Sequence, residues 1–321
     1  MKRTLLIIGG VGIICILAGV WAYFLFFGTP NPDGGVFANF NLGNTDDPTV
    51  VLPAIEPEPT QPLVDVTSPD RLRQLTTQPV AGFAEVMITA SSTPEIRYIE
   101  AGTGHIYSID LETGEEVRVS ATTIPLTNTG ALTPNGQFAM MQSGSGIGSE
   151  HVIGIISTTS DELRNFAIPG TITSFAATAE NTFVYAAPAG NSLVVRAYNP
   201  STNTVAELFQ IPFRDATIAW GTTETGPHYV YPQTTSRLEG YVYSYTDGVA
   251  ARESASGFGL SAVGSSAGYI FSEVQNGEYN TYATNKSASE TNATPLTIIP
   301  EKCVFAQTDP SVAICGIALI E

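Results

Sequence analysis

The chain has 321 residues, 43% of them hydrophobic and 13% charged, with 13 Lys and Arg against 30 Asp and Glu for a formal charge of −17. Such a surplus of acid excludes a nucleic-acid backbone binder, whose affinity comes from cationic contacts, and suits a soluble surface that repels anionic polymers. Three cysteines and three histidines supply little material for a metal framework.

Residues 1–3, Met1-Lys2-Arg3, are a short basic cap on an uncharged apolar run over residues 4–27. At the rise of an α-helix this run is roughly 35 Å long, enough to cross a hydrocarbon core of about 30 Å. Leu5, Ile8, Ile14, Leu17, Trp21 and Phe24 are the expected membrane anchor, with Trp21 and Tyr23 suited to the interfacial belt. A cleaved signal peptide would be shorter and end in small residues, whereas this run ends Tyr23-Phe24-Leu25-Phe26-Phe27, so an uncleaved signal anchor is expected. Cys15 follows Ile14, not the small residue a lipid-attachment site wants, and reads as a buried thiol. No Lys or Arg returns before Arg71, while seven acids from Asp33 to Asp70 do. The positive-inside rule then gives a single-pass cell-membrane protein with a cytoplasmic N-terminus and an extracytoplasmic head.

Residues 28–66 are rich in Pro, Asn, Gly and acid without a sustained period, which reads as a linker. As a flexible coil it spans roughly 35 Å, holding a head domain of residues 67–321 off the bilayer.

The head is written in short alternating strands. Residues 96–120, IRYIEAGTGHIYSIDLETGEEVRVS, read as three strands and two turns: Gly102-Thr103-Gly104 supplies the first turn and Asp110 to Gly114 the second. Related pieces recur from Gly130 to Met141, Ser174 to Tyr185, Ile218 to Tyr231, Leu260 to Phe271 and Cys303 to Cys315. Their spacing of roughly 42–46 residues is the length of a four-stranded propeller blade. The expected fold is therefore an all-β propeller of about six four-stranded blades, near 80–120, 127–169, 171–212, 214–255 and 258–300, with 301–320 supplying two inner strands of the last. Because sheet edges are a liability, Leu72 to Thr76 is expected to dock as the outer strand of that sixth blade. Pairing about Asp309-Pro310 sets Cys303 opposite Cys315, and an extracytoplasmic site is oxidising, so a cross-strand disulfide is expected.

The segment ALTPNGQFAMM resembles the apolar–Pro–Asn–Gly–apolar signature of TolB-type, WD40-like β-propellers, and IYSIDLETGEEVRVS resembles the outer hairpin of their blades, over about residues 71–321. The whole layout, anchor, acidic stalk and closing KCVF…ICGIA, is similar to membrane-anchored propeller proteins of small-genome candidate-phylum bacteria. That resemblance implies a fold and a place in the envelope, and no activity or site residue to carry over. The Trp-Asp pair of WD40 blades is missing, so their hydrogen-bond tetrad is not implied.

Little in the chain points to catalysis. His105, His151 and His228 fall in three different blades with no His-x-x-x-His pair, so no metal site is expected. Gly264-Ser265-Ser266-Ala267-Gly268 matches a nucleophile elbow in letters, but the elbow needs a strand-to-helix turn and here a strand leads to a strand. The run Ser143 to Ser149 has the glycines of a phosphate loop without its Lys-Ser/Thr, and Asp110 to Gly114 misses the calcium-loop spacing. No catalytic residue, metal or cofactor is expected. The reading is a non-catalytic scaffold that takes a protein partner or surface ligand at the propeller loops and meets the lipid bilayer through its N-terminal helix, with no nucleic acid. The alternative is a propeller-type envelope hydrolase or lyase. It would need carboxylates, His, Tyr or Arg converging on the central channel, where the inner strands carry Ala, Thr, Ser, Val and Phe.

Overall fold

The computed structural model describes residues 73–86, 94–157, 160, 162–168, 170–233, 235, 237–286 and 290–317. The basic cap, the anchor with Leu5, Ile8, Ile14, Leu17, Trp21 and Phe24, and the linker lie outside the described residues. Among the described residues no helix is long and apolar enough to cross a membrane.

The fold is all-β. A first sheet runs β1 (Val80–Val86), β2 (Glu95–Glu100), β3 (Ile106–Asp110), β4 (Glu116–Ser120); a second runs β5 (Thr127–Leu132), β6 (Phe138–Ser143), β7 (Glu150–Ile156), β8 (Leu163–Ala167). The third is β9 (Ser174–Ala177), β10 (Phe183–Ala189), β11 (Ser192–Asn199) and β12 (Thr204–Ile211). Each is an antiparallel meander with its strands in chain order. Short polar turns make this possible. Asp110 Oδ1 accepts the N–H groups of Glu112 and Thr113 at 2.8 Å each, and Asn199 Oδ1 those of Ser201 and Thr202 at 2.9 and 3.2 Å. Gly114 (φ 73°) and Asn203 (φ 55°) then reverse the chain in the left-handed conformation.

Two expectations of separate blades give way here. β13 (Ala216–Ala219), β14 (His228–Pro232), β15 (Glu239–Thr246), β16 (Val249–Gly264), β17 (Gly268–Gln275), β18 (Glu278–Asn285) and β19 (Glu290–Ala293) form one seven-stranded sheet. The outer strand of the fourth meander and the inner strand of the fifth are the single strand β16, which pairs with β15 up to Phe258 and with β17 from Phe258 onward. No proline separates the two halves, and Gly259 at φ 57° lets the backbone bend at a register shift between Phe258 and Ser261, its N–H turned to the carbonyl of Thr235 at 3.2 Å, as the strand changes partners.

The last pair, β20 (Cys303–Phe305) and β21 (Ala313–Cys315), forms a sheet of its own. Cys303 lies opposite Cys315 and Val304 opposite Ile314, and a disulfide joins the cysteines with their Cα atoms 4.1 Å apart. The expected outer strand for this pair is not there. Residues 73–76 form no strand; Arg73 Nη2 donates to the carbonyl of Leu111 at 3.0 Å and the Thr76 hydroxyl to Tyr98 Oη at 3.3 Å, both in the first sheet. The short connector Thr77 to Pro79 holds this segment beside β1, the strand it precedes. No sheet among the described residues closes on itself.

The core sits between sheets. Strand alternation sends Ala139 and Met141 of β6 against Ile99, Ile106 and Ile124, while Phe138 and Met140 meet Phe175, Phe183 and Tyr185. Ala186 and Val195 of the third sheet pack on Ile218 and Val230, and Tyr229 and Tyr231 of β14 pack on Leu260, Tyr269 and Phe271. Both faces of β6, β10, β14 and β17 are thereby buried along most of their length, which explains why these strands are apolar almost without interruption. Full burial of one such side chain contributes about 1.5–3 kcal/mol, and a single meander has no such partner of its own.

Candidate interaction surface

Polar contacts to the turns that join the first and second strands of a meander, from a strand or turn of its neighbour, link each meander to the next. Arg97 Nη1 donates to the carbonyl of Gly136 at 2.7 Å, the N–H of Asn135 to Asn181 Oδ1 at 2.8 Å, and the N–H of Ala179 to the carbonyl of Thr222 at 2.7 Å. Tyr229 Oη donates to the carbonyl of Ser265 at 2.8 Å, and Ser265 Oγ to the carbonyl of Pro310 at 2.5 Å. Thr182 adds a bond to the Glu224 carboxylate. One rim of the array is consequently a continuous hydrogen-bonded ladder, with its side chains already engaged.

The three histidines are dispersed through this framework. His105 Nε2 lies 3.1 Å from Thr123 Oγ1 and its Nδ1 3.5 Å from the Glu100 carboxylate. His228 is fully buried: its Nδ1 accepts the Gly221 N–H at 3.0 Å and its Nε2 lies 3.1 Å from the carbonyl of Glu224. Those partners place the proton on Nε2 and keep the ring neutral. His151 is buried against the edge of Phe175, and neither ring nitrogen has a hydrogen-bond partner among the described residues. Burial lowers the basicity of both rings below the usual histidine value. Ser266 occupies the turn between β16 and β17, where the Ser265 N–H donates to the carbonyl of Gly268 at 2.8 Å. The Gly-rich run becomes the loop between β6 and β7, with a single 3-10 turn at Gly146–Gly148. Among the described residues no three metal-capable side chains come together.

The surface that stands out is the outer face of the first sheet. Its inner face packs on the second sheet; residues 73–76 lie along part of the other, where Tyr98 and Ile109 are buried and Phe83 is not. Strand register sets Phe83 opposite Tyr98 and Tyr98 opposite Tyr107, so three aromatic rings line up across β1, β2 and β3. The Tyr98 and Tyr107 rings stack with centroids 5.2 Å apart. Phe83 is 70% exposed, Val80 41% and Leu75 37%, and together with Ile96, Tyr98 and Ile109 they line a groove of about 510 Å³. Tyr98 is anchored from behind: its hydroxyl bonds to the Glu116 carboxylate, and burial together with that carboxylate pushes the phenol up to about 12. The aromatic row went unnoticed in the sequence, although Tyr98 and Tyr107 stand symmetrically about the Gly102-Thr103-Gly104 turn and so could be read as neighbours.

At the other end of the chain, Phe305 and Ala313 of the disulfide hairpin face Ile270 and Ala283 across a cavity of about 230 Å³. The outward side chains of that hairpin, Val304 and Ile314, are 63% and 67% exposed.

No protein-family model matches this chain, and no curated protein does. Among solved structures it is similar to the β-propeller domain of the Trilobed protease from Pyrococcus furiosus, at 13% identity over 68% of this chain and 72% of that one, with a TM-score of 0.44. It is similar to a putative TolB from Agrobacterium tumefaciens at 10% identity over 66% and 79% of the two chains, TM-score 0.44. Tricorn protease aligns at 10% identity over 71% of this chain but only 30% of its own length, TM-score 0.47.

Proposed function

We propose that this chain is a membrane-tethered, extracytoplasmic scaffold of the cell envelope, non-catalytic, built on an open β-propeller of about six blades whose meanders are those described above. It takes a protein partner on the outer face of the first sheet. The exposed Phe83, with Leu75 and Val80 beside it on a groove floored by the buried Tyr98 and Ile109, carries this reading: apolar side chains gathered on one surface are costly to leave in water and are typical of a protein-binding surface. Tyr and Phe bury large area for little loss of side-chain freedom, which favours them as anchors in an interface. The tether supports the same role, because a head held on a stalk samples partners within a limited radius of the membrane.

The test is photo-cross-linking in intact membranes from a benzoyl-phenylalanine placed at Phe83, compared with the same probe at Leu126, which is equally exposed at 71%. A discrete adduct from position 83 alone, lost when Ile96→Asp is introduced, is the expected result. Identical adduct patterns from both positions would remove the basis for a docking face there.

A further inference from the structure

A second cavity, at the end of β10 remote from its Thr178 to Thr182 turn, has a different chemistry. It encloses about 280 Å³ and is lined by Thr171, Ile172, Tyr185, Pro188, Arg196 and Arg214, with backbone from Gly170 and Ala187. Ile172 and Tyr185 are buried in the apolar seam between the second and third sheets, so the floor is packed and fixed. Two arginines are among the lining residues. Arg196 is half-buried on β11, opposite Tyr185 of β10, and Arg214 is exposed on the connector between β12 and β13. Of only 13 Lys and Arg in a chain of formal charge −17, two therefore share one small cavity.

Neither arginine makes an ion pair or a side-chain hydrogen bond among the described residues. Glu207, opposite Arg196 across β11 and β12, and Asp215, next to Arg214, are the nearest acids by register and sequence; neither lines the cavity. Two cationic side chains on one small cavity favour an anionic occupant. Guanidinium forks bind carboxylate and phosphate oxygens through paired N–H donors. The Thr171 and Tyr185 hydroxyls add neutral donors, while Ile172 and the Tyr185 ring offer an apolar floor for the body of the ligand. We infer that this cavity is a binding site for a small organic oxyanion, a carboxylate or phosphate ester, held by Arg196 and Arg214. The inference concerns a site separate from the aromatic face, and it stands or falls independently of the scaffold reading.

The experiment is calorimetric titration of the full chain in mild detergent, at constant ionic strength made up with sodium chloride, using inorganic phosphate in one arm and succinate in the other. Saturable one-site binding is expected in at least one arm. A response to phosphate alone identifies a phosphoryl ligand, and a response to succinate alone a carboxylate. Affinity should fall at least about tenfold in Arg214→Gln, whose exposed position spares the fold, and Arg196→Lys should retain more of it than Arg196→Gln. If Arg196→Gln fails to fold, Arg214→Gln decides alone. Absence of saturable binding in both arms, or unchanged affinity in Arg214→Gln, would overturn the site.

Discussion

The backbone N–H of Asn135 donates to Oδ1 of Asn181 at 2.8 Å, joining the inner turn of the second sheet to the inner turn of the third. Asn181 is itself left-handed, at φ 61°, so one residue supplies both a strained backbone turn and the acceptor that fastens the neighbouring sheet. The two contributions separate by substitution. Asn181→Gly keeps the turn and deletes the acceptor, and should lower stability by about 1 kcal/mol. Asn181→Ala adds backbone strain of roughly 1–2 kcal/mol. Denaturant midpoints of the two variants check the order; equal midpoints would mean the turn conformation contributes nothing.

The first and second sheets approach closely through glycine. A Cβ at Gly82 would lie 2.0 Å from the carbonyl oxygen of Gly130, so the first strands of the first and second sheets touch backbone to backbone. Gly82→Ala must push these strands apart and should cost about 2–3 kcal/mol. Gly102→Ala is the control: at φ 88° with nothing within 4 Å, it meets backbone strain alone and should cost about 1 kcal/mol. Thermal unfolding of both variants measures the difference, and a Gly82 variant no worse than the control would place the sheets further apart than described.

Stability should fall on mild acidification. His151 and His228 are buried with their pKa values lowered, mainly by loss of solvent, from the ordinary 6.5. The unfolded chain then binds more protons than the folded one at any pH between the lowered values and about 6.5. The neutral rings give full stability above that point, and stability declines as pH falls through it. Protonated His228 would also lose the bond its Nδ1 accepts from Gly221. Asp110 and Asp309, whose pKa values are lowered by hydrogen bonds, act in a separate window near and below their ordinary 3.8. The melting temperature should be level from about pH 8 to 7 and drop toward pH 5. His151→Leu, which removes a ring with no hydrogen-bond partner, should flatten that drop; an unchanged slope would assign it to His228.

Thiol chemistry reports on both the hairpin and its compartment. Denatured, unreduced protein should show one reactive thiol, Cys15, because Cys303 and Cys315 are joined. Twelve residues separate the pair, and so short a loop limits the entropic gain to about 3 kcal/mol or less. Cys303→Ser with Cys315→Ser should therefore raise protease sensitivity of the last hairpin and leave the melting temperature of the other sheets nearly unchanged. Three reactive thiols in protein taken directly from cells would show that the hairpin does not face an oxidising compartment.

Much of this architecture is carried by local chemistry and was legible without coordinates. Alternating apolar residues, the Asx turns at Asp110 and Asn199 and the Gly-rich reversals act over a few residues, so strand existence and the antiparallel meander follow from the order of residue types. The repeat spacing likewise announces similar modules, since one meander cannot bury its own two faces. What the tertiary structure alone decided is long-range. β16 runs on from one meander into the next because Gly259 bends the strand through a register shift instead of ending it, and no periodicity in the sequence encodes which partner a strand takes. Residues 73–76 sit on the first sheet because Arg73 and Thr76 find acceptors there, a choice among distant surfaces that composition does not rank. The aromatic row and the Arg196–Arg214 cavity belong to the same class: each gathers side chains from several elements through strand register and the stacking of sheets. Sequence patterns specify which face of a strand is apolar, whereas the contacts across sheets decide which of those faces is covered and which is left open.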